Sequence, residues 1–210
     1  MLFECDECEC YLGVGVDCRS CEEARLGGPA FQAKLHSLQD RRERRIEWLE
    51  NLEHPPIIGL VGCGKAKRHG AWPASQLYTG SLFSLSRRFA IYKCDEHYVL
   101  SAKHGLIRPD KVIEAYNYSL YDLKLNQRDV WAHGVSSRLQ TLFPADMRID
   151  FMILAGEGYI APLRDAFRKK TGLEWNLVNP LDGLSLFGRL SWLRAELSRA
   201  GCDEATGCAC

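Results

Sequence analysis

No apolar run in this chain approaches the roughly 18 consecutive residues that a membrane-spanning helix needs, so no membrane role is expected. The amino terminus, Met1-Leu2-Phe3-Glu4-Cys5, lacks both the basic start and the apolar stretch of a secretory signal, and a cytoplasmic location is the expectation. Net charge is missing too: 27 Lys and Arg balance 27 Asp and Glu, which argues against a protein that coats nucleic acid by bulk charge. The glycine-to-Lys-Ser/Thr spacing of a Walker A loop is absent, which disfavours ATP or GTP hydrolysis. There is no internal repeat.

What is present is unevenly distributed. Residues 1–25 carry seven acids and two bases, a balance of −5, which leaves +5 for the remainder. Ten cysteines in a chain without a secretory signal point to ligands or free thiols rather than disulfides. Cys5-x2-Cys8 and Cys18-x2-Cys21 place two thiolates on each of two tight turns, a spacing that suits structural zinc. So short a segment buries too little surface to fold alone, so the metal would supply the folding energy. Gly13 and Gly15 fit a hairpin between the two knuckles. A disordered cysteine-rich tail, or an iron–sulfur site drawing on Cys10, are the alternatives. Residues 1–26 are therefore read as a zinc ribbon, with Cys5, Cys8, Cys18 and Cys21 as its ligands.

Residues 27–56 read as a basic linker helix. Its apolar stripe (Phe31, Leu35, Leu38, Ile46, Leu49, Leu52) is interrupted by Arg41, Arg42, Arg44 and Arg45. These arginines either meet phosphates or form local ion pairs with Glu43 and Glu47 on a solvated face, and the second is the expectation. His54-Pro55-Pro56 ends the helix. Residues 200–210 hold three cysteines and almost no apolar surface, and are expected to be disordered.

Between these flanks, residues 57–199 alternate in type. Apolar strands are predicted near 57–61, 97–101, 150–155 and 174–178, and striped helices near 80–93, 122–142, 159–171 and 184–199. The alternation predicts an α/β domain with a mostly parallel sheet of about four strands, covered by helices on both faces.

Two of the strands end in polar loops. Gly62-Cys63-Gly64-Lys65-Ala66-Lys67 combines glycines, which let backbone N–H groups approach a ligand, with two ammonium groups; this suits an anion, plausibly a phosphate. Cys63 is either a nucleophilic thiol beside Lys65 and Lys67 or a small residue in a crowded turn, and the second is the expectation. Ser101-Ala102-Lys103-His104-Gly105 offers a hydroxyl, an ammonium and an imidazole. His104 is the candidate general acid or base, and Lys103 beside it would disfavour the imidazolium. Tyr78 and Tyr116 can stack on a nucleobase. Glu157, after the third strand, is the best-placed carboxylate, with Asp110 and Glu114 as alternatives.

The order Cys63-Gly64-Lys65-x-Lys67, Pro73-Ala74, Leu77-Tyr78, Leu82-Phe83, Leu100-Ser101-Ala102-Lys103-His104-Gly105-Leu106, Pro109 and Tyr116 resembles a prokaryotic and phage family. That family is distantly similar to the YaaA-like peroxide-stress proteins and to the small α/β domain of archaeosine synthase. Ala155-Gly156-x2-Tyr159 and Pro180-Leu181-x-Gly183-Leu184 extend the resemblance over about residues 57–197. It implies a three-layer α/β fold of uracil-DNA-glycosylase type and work on nucleic acid or modified bases. It singles out Cys63, Lys65, Lys67, Tyr78, Lys103, His104 and Tyr116.

Three functions are compatible with these residues. The first is an enzyme acting on a nucleobase in DNA or RNA, by N-glycosidic cleavage or base modification. The second is a zinc-dependent nucleic-acid binder without catalysis. The third is an enzyme for free nucleotides or small phosphorylated metabolites.

Overall fold

The computed structural model describes residues 2–4, 11–13, 29–169, 172 and 174–201. Strands β1 (Leu2–Glu4) and β2 (Tyr11–Gly13) pair antiparallel, Phe3 opposite Leu12. The expected hairpin between the two knuckles falls on residues that lie largely outside the described ones. The four proposed zinc ligands, Cys5, Cys8, Cys18 and Cys21, lie outside the described residues, as does the tail 202–210.

Helix α1 (Pro29–Glu50) leads to the main sheet. Next come β3 (Ile57–Gly62), β4 (Ala71–Pro73), the short α2 (Ala74–Leu77), α3 (Ser81–Lys93), β5 (Glu96–Ser101), β6 (Gly105–Ile107) and β7 (Val112–Glu114). After a 3-10 turn (Leu120–Asp122) follow α4 (Leu125–Leu142), β8 (Ile149–Leu154), α5 (Glu157–Arg168), β9 (Trp175–Val178) and α6 (Leu186–Arg199). The sheet order is β6-β5-β3-β8-β9, with β3, β5, β8 and β9 parallel and β6 antiparallel at one edge.

The fold is thus α/β with a mostly parallel five-stranded sheet flanked by helices. The four parallel strands fall where the apolar runs place them. The fifth, β6, is three residues long and folds straight back from β5, too short to show a period of its own. β4 and β7 form a separate two-stranded ribbon.

Successive strand residues point to opposite faces. Ile58, Leu60 and Leu100 pack with Trp131 of α4 and Ile160 and Leu163 of α5. Val61, Val99 and Leu154 pack with Phe83 and Phe89 of α3 and Leu193 of α6. Both faces being covered, a polar site can form only where the strands end. No described helix is long and apolar enough to cross a membrane.

Within the arginine run, Arg45 is drawn into the fold rather than into a pair with Glu43 or Glu47. Its guanidinium meets Glu96 at 2.7 Å, donates to the Leu142 carbonyl at 2.9 Å and lies 4.2 Å from the centre of the Phe143 ring. One turn on, Leu49 is buried. Arg45→Ala removes a half-buried charge pair and a ring contact together, and is expected to cost about 2 kcal/mol in urea unfolding. An unchanged midpoint would show that the Arg45 contacts do not hold α1 in place. Arg41, Arg42 and Arg44 remain exposed.

Candidate functional site

β3 and β5 run parallel and adjacent, with Gly62 opposite Leu100. Their loops therefore leave the same edge of the sheet side by side. The Cys63 N–H donates to the Leu100 carbonyl at 2.9 Å, so the ladder continues one residue into the first loop. Further on, Lys67 bridges Tyr78, Arg68 N donates to Leu77 O at 2.8 Å and Thr79 N to Ala66 O at 3.0 Å. The lysine loop is thereby laid against the end of α2. Gly62 is a glycine for packing: a Cβ there would stand 2.7 Å from the Ala155 Cβ on the neighbouring strand end. Gly64 is not crowded in that way, the nearest atom to a Cβ lying 3.7 Å off.

The second loop is organised by Ser101. Its hydroxyl accepts from the backbone N–H of His104 at 3.0 Å and of Lys103 at 3.3 Å. It also meets Tyr116 Oη at 2.7 Å, and Tyr116 Oη meets Tyr78 Oη at 2.8 Å. Two backbone donors fill the lone pairs of Ser101 Oγ, so its proton goes to Tyr116 and that of Tyr116 to Tyr78. Trp131 Nε1 donates to the Ser101 carbonyl at 2.9 Å, fixing the loop from below.

Around this chain stand the charged groups. The Lys67 ammonium lies 4.3 Å from the centre of the Tyr116 ring and 5.5 Å from that of Tyr78, and the Lys103 ammonium 5.6 Å from that of Tyr116. The His104 ring meets Tyr116 edge-on at 5.3 Å. Cys63 Sγ contacts Tyr159 Oη at 3.1 Å. Tyr159 comes from the first turn of α5 and packs edge-on against Trp131, 5.6 Å between ring centres.

Burial sets the protonation states. It lowers the His104 pKa to about 4, with Lys103 as the second cause, so the imidazole is neutral at physiological pH. Lys103 acts as its position suggests, but burial is the larger effect. Tyr116 and Tyr159 are both pushed well above the ordinary tyrosine value, by burial first and then by Cys63, and keep their protons. Burial also lowers the Lys67 pKa, with Cys63 opposing. The other described thiol, Cys94, is a contrast: burial and Asp95 push it up to about 12, which suits an inert packing residue.

The structure thus brings Cys63, Lys67, Tyr78, Ser101, Lys103, His104 and Tyr116 into one cluster. Tyr78, 3% exposed and packed on Phe83, serves as the far end of the hydroxyl chain rather than as an open stacking face. Lys65 is exposed at the rim. Glu157 is exposed too, its carboxylate 3.8 Å from Arg164 on its own helix. Asp110 is paired with Arg108 at 2.8 Å. Sequence reasoning missed the thiol contact of Tyr159 and the anchoring by Trp131. Both are long-range, and the only signal was the placement of Tyr159 just past a strand. Among the described residues, no group of three or more His, Cys, Asp or Glu is placed to hold a metal ion.

The fold and this cluster define a class: an α/β protein with a thiol, hydroxyl and ammonium site at the carboxyl edge of its parallel sheet. The chain belongs to the family described as "Family of unknown function (DUF6884)", which matches residues 58–195, from β3 into α6. No curated protein and no solved structure matches the chain.

Proposed function

We propose that the cluster binds a nucleobase carried by DNA or RNA and either cleaves its N-glycosidic bond or modifies it. The observation that carries this reading is the surrounding of Tyr116. Two ammonium groups stand within 5.6 Å of its ring centre, and a neutral imidazole and a thiol complete the site. Ammonium groups suit the phosphate of a bound nucleotide, and neutral hydroxyl and imidazole groups suit the edge of a base. His104 would polarise the base, with Lys103 or Lys67 balancing the charge that develops. The three-layer arrangement of uracil-DNA-glycosylase type, and kinship with the YaaA-like proteins and archaeosine synthase, belong to the same proposal.

Fluorescence anisotropy with labelled single-stranded DNA, duplex DNA and RNA at two salt concentrations tests it. Lys65→Ala/Lys67→Ala is expected to weaken binding at least about tenfold and to flatten the salt dependence. Lys65→Ala alone, exposed and free of packing effects, is expected to act in the same direction. Released or altered bases are then sought by mass spectrometry. Absence of binding to every polymer would sink this reading in favour of a free nucleotide or phosphorylated metabolite.

One observation favours a nucleic-acid binder without catalysis: the best carboxylate, Glu157, faces Arg164. Binding without any change in the bases would support that alternative.

The head enters as a structural zinc site on Cys5, Cys8, Cys18 and Cys21, for which the sequence spacing is the support. Elemental analysis of the purified protein is expected to find about one zinc per chain. Cys5→Ser/Cys8→Ser is expected to remove it. Iron in place of zinc would transfer the site to the iron–sulfur alternative.

A further inference from the structure

Beside the cluster lies aromatic surface that the cluster does not use. Tyr121, in the 3-10 turn, is 61% exposed. From α6, Arg189 brings Nη1 to within 3.4 Å of the point where a Cβ on Gly156 would stand, and Tyr121 Oη comes within 3.2 Å of that same point. The two side chains therefore converge over Gly156, which links β8 to the helix that holds Tyr159 against Cys63. Gly158 completes the seat, since a Cβ there would lie 2.7 Å from the Tyr121 ring.

Tyr121 is fixed from behind. Its N–H donates to Ser119 Oγ at 3.2 Å, and its carbonyl accepts from Arg128 Nη2 at 3.1 Å. The Ser119 N–H in turn donates to the Asp122 carboxylate at 3.0 Å. An exposed ring on a pinned backbone loses little freedom when something stacks on it. Arg189 donates through Nε to the Leu184 carbonyl at 2.9 Å and forms no ion pair among the described residues.

We propose that Tyr121 and Arg189 form a flanking-nucleotide subsite, so that the substrate is a single strand of nucleic acid extending past the nucleotide held at the cluster. This rests on the reading above and narrows it. A flat exposed ring accompanied by a guanidinium matches the base and the phosphate of one further nucleotide along such a strand. The ammonium groups of Lys65, Lys67 and Lys103 along the same edge extend the charge complementarity. A duplex keeps its bases stacked inside and cannot offer a face to the Tyr121 ring.

The test measures binding of the full chain to a mononucleotide, to a labelled single strand of about six nucleotides and to the matching duplex. The single strand is expected to bind at least about tenfold more tightly than the mononucleotide or the duplex. Tyr121→Ala and Arg189→Ala are each expected to remove most of that advantage and to leave the mononucleotide unaffected, whereas Tyr121→Phe keeps it. The Tyr121 ring is exposed, and thermal unfolding verifies that the variants fold. A strand advantage indifferent to both alanine variants, or a duplex bound equally well, would overturn the subsite. If Lys65→Ala weakens mononucleotide and strand alike while the rim variants are silent, the subsite fails and the nucleobase reading stands. Binding of neither ligand removes both.

Discussion

Gly62→Ala is expected to destabilise the protein by about 3 kcal/mol and to lower its melting temperature by roughly 10 °C. The cause lies in the register of the central strands. Val61 sits opposite Leu154, so the next residues of β3 and β8, Gly62 and Ala155, face each other where both strands end. A Cβ on Gly62 would stand 2.7 Å from the Ala155 Cβ and 3.2 Å from its Cα. Neither atom belongs to a flexible side-chain end, so relief must come from moving a strand. The same movement would pull Cys63 from Tyr159, because the two residues sit just beyond these strands. Ala155→Gly in the same chain removes the opposing Cβ and is expected to restore much of the stability. A Gly62→Ala protein that melts like the parent would show that the strand ends part at little cost, and the close approach would lose its significance.

The second large effect concerns chemistry. If the cluster acts on a nucleobase as proposed, His104→Ala is expected to slow base release or modification about 100-fold while changing nucleic-acid affinity by less than about threefold. With its pKa lowered to about 4, His104 is neutral under physiological conditions, so in the proposed reaction it would act by hydrogen bonding rather than by carrying a proton. His104→Gln, which keeps neutral hydrogen-bonding groups, is expected to retain more activity than His104→Ala. The wild-type rate should be level from about pH 6 to 8 and fall as the pH approaches 4. Stability follows the same group. The unfolded imidazole titrates at its ordinary 6.5 and the folded one at about 4, so between these values the unfolded chain binds more protons and stability falls as pH falls. His104→Gln should flatten that part of the stability profile. A rate inflection near 6.5 would instead mark a solvent-exposed imidazole.

Much of this architecture is legible from local patterns. Ile57-Ile58-Gly59-Leu60-Val61 and Tyr98-Val99-Leu100 are apolar because helices cover both faces of their strands, and the stripes of α3 to α6 follow from the same burial. The three-residue strands β4, β6 and β7 escape, since pairing partners rather than composition define them. In the site, Cys63, Lys67, Ser101, Lys103 and His104 were found because they follow apolar strands. Their mutual geometry was not legible, because it is set by residues far along the chain: Tyr159 meets Cys63 across 96 positions, and Trp131 reaches Ser101 across 30. Arg45 looked like part of a solvated charge run, and its partner Glu96 lies 51 residues away. Spacing identifies which strand end a residue occupies; only register decides what it touches.

Trp131 places an optical reporter beneath this cluster. Its indole is 1% exposed, with the N–H bonded to the Ser101 carbonyl and the ring edge-on to Tyr159. It therefore contacts both halves of the site, the serine that organises the second loop and the tyrosine that faces the thiol. A molecule bound at the cluster is expected to change the indole's ultraviolet emission, read as the part of the five-tryptophan signal that Trp131→Phe removes.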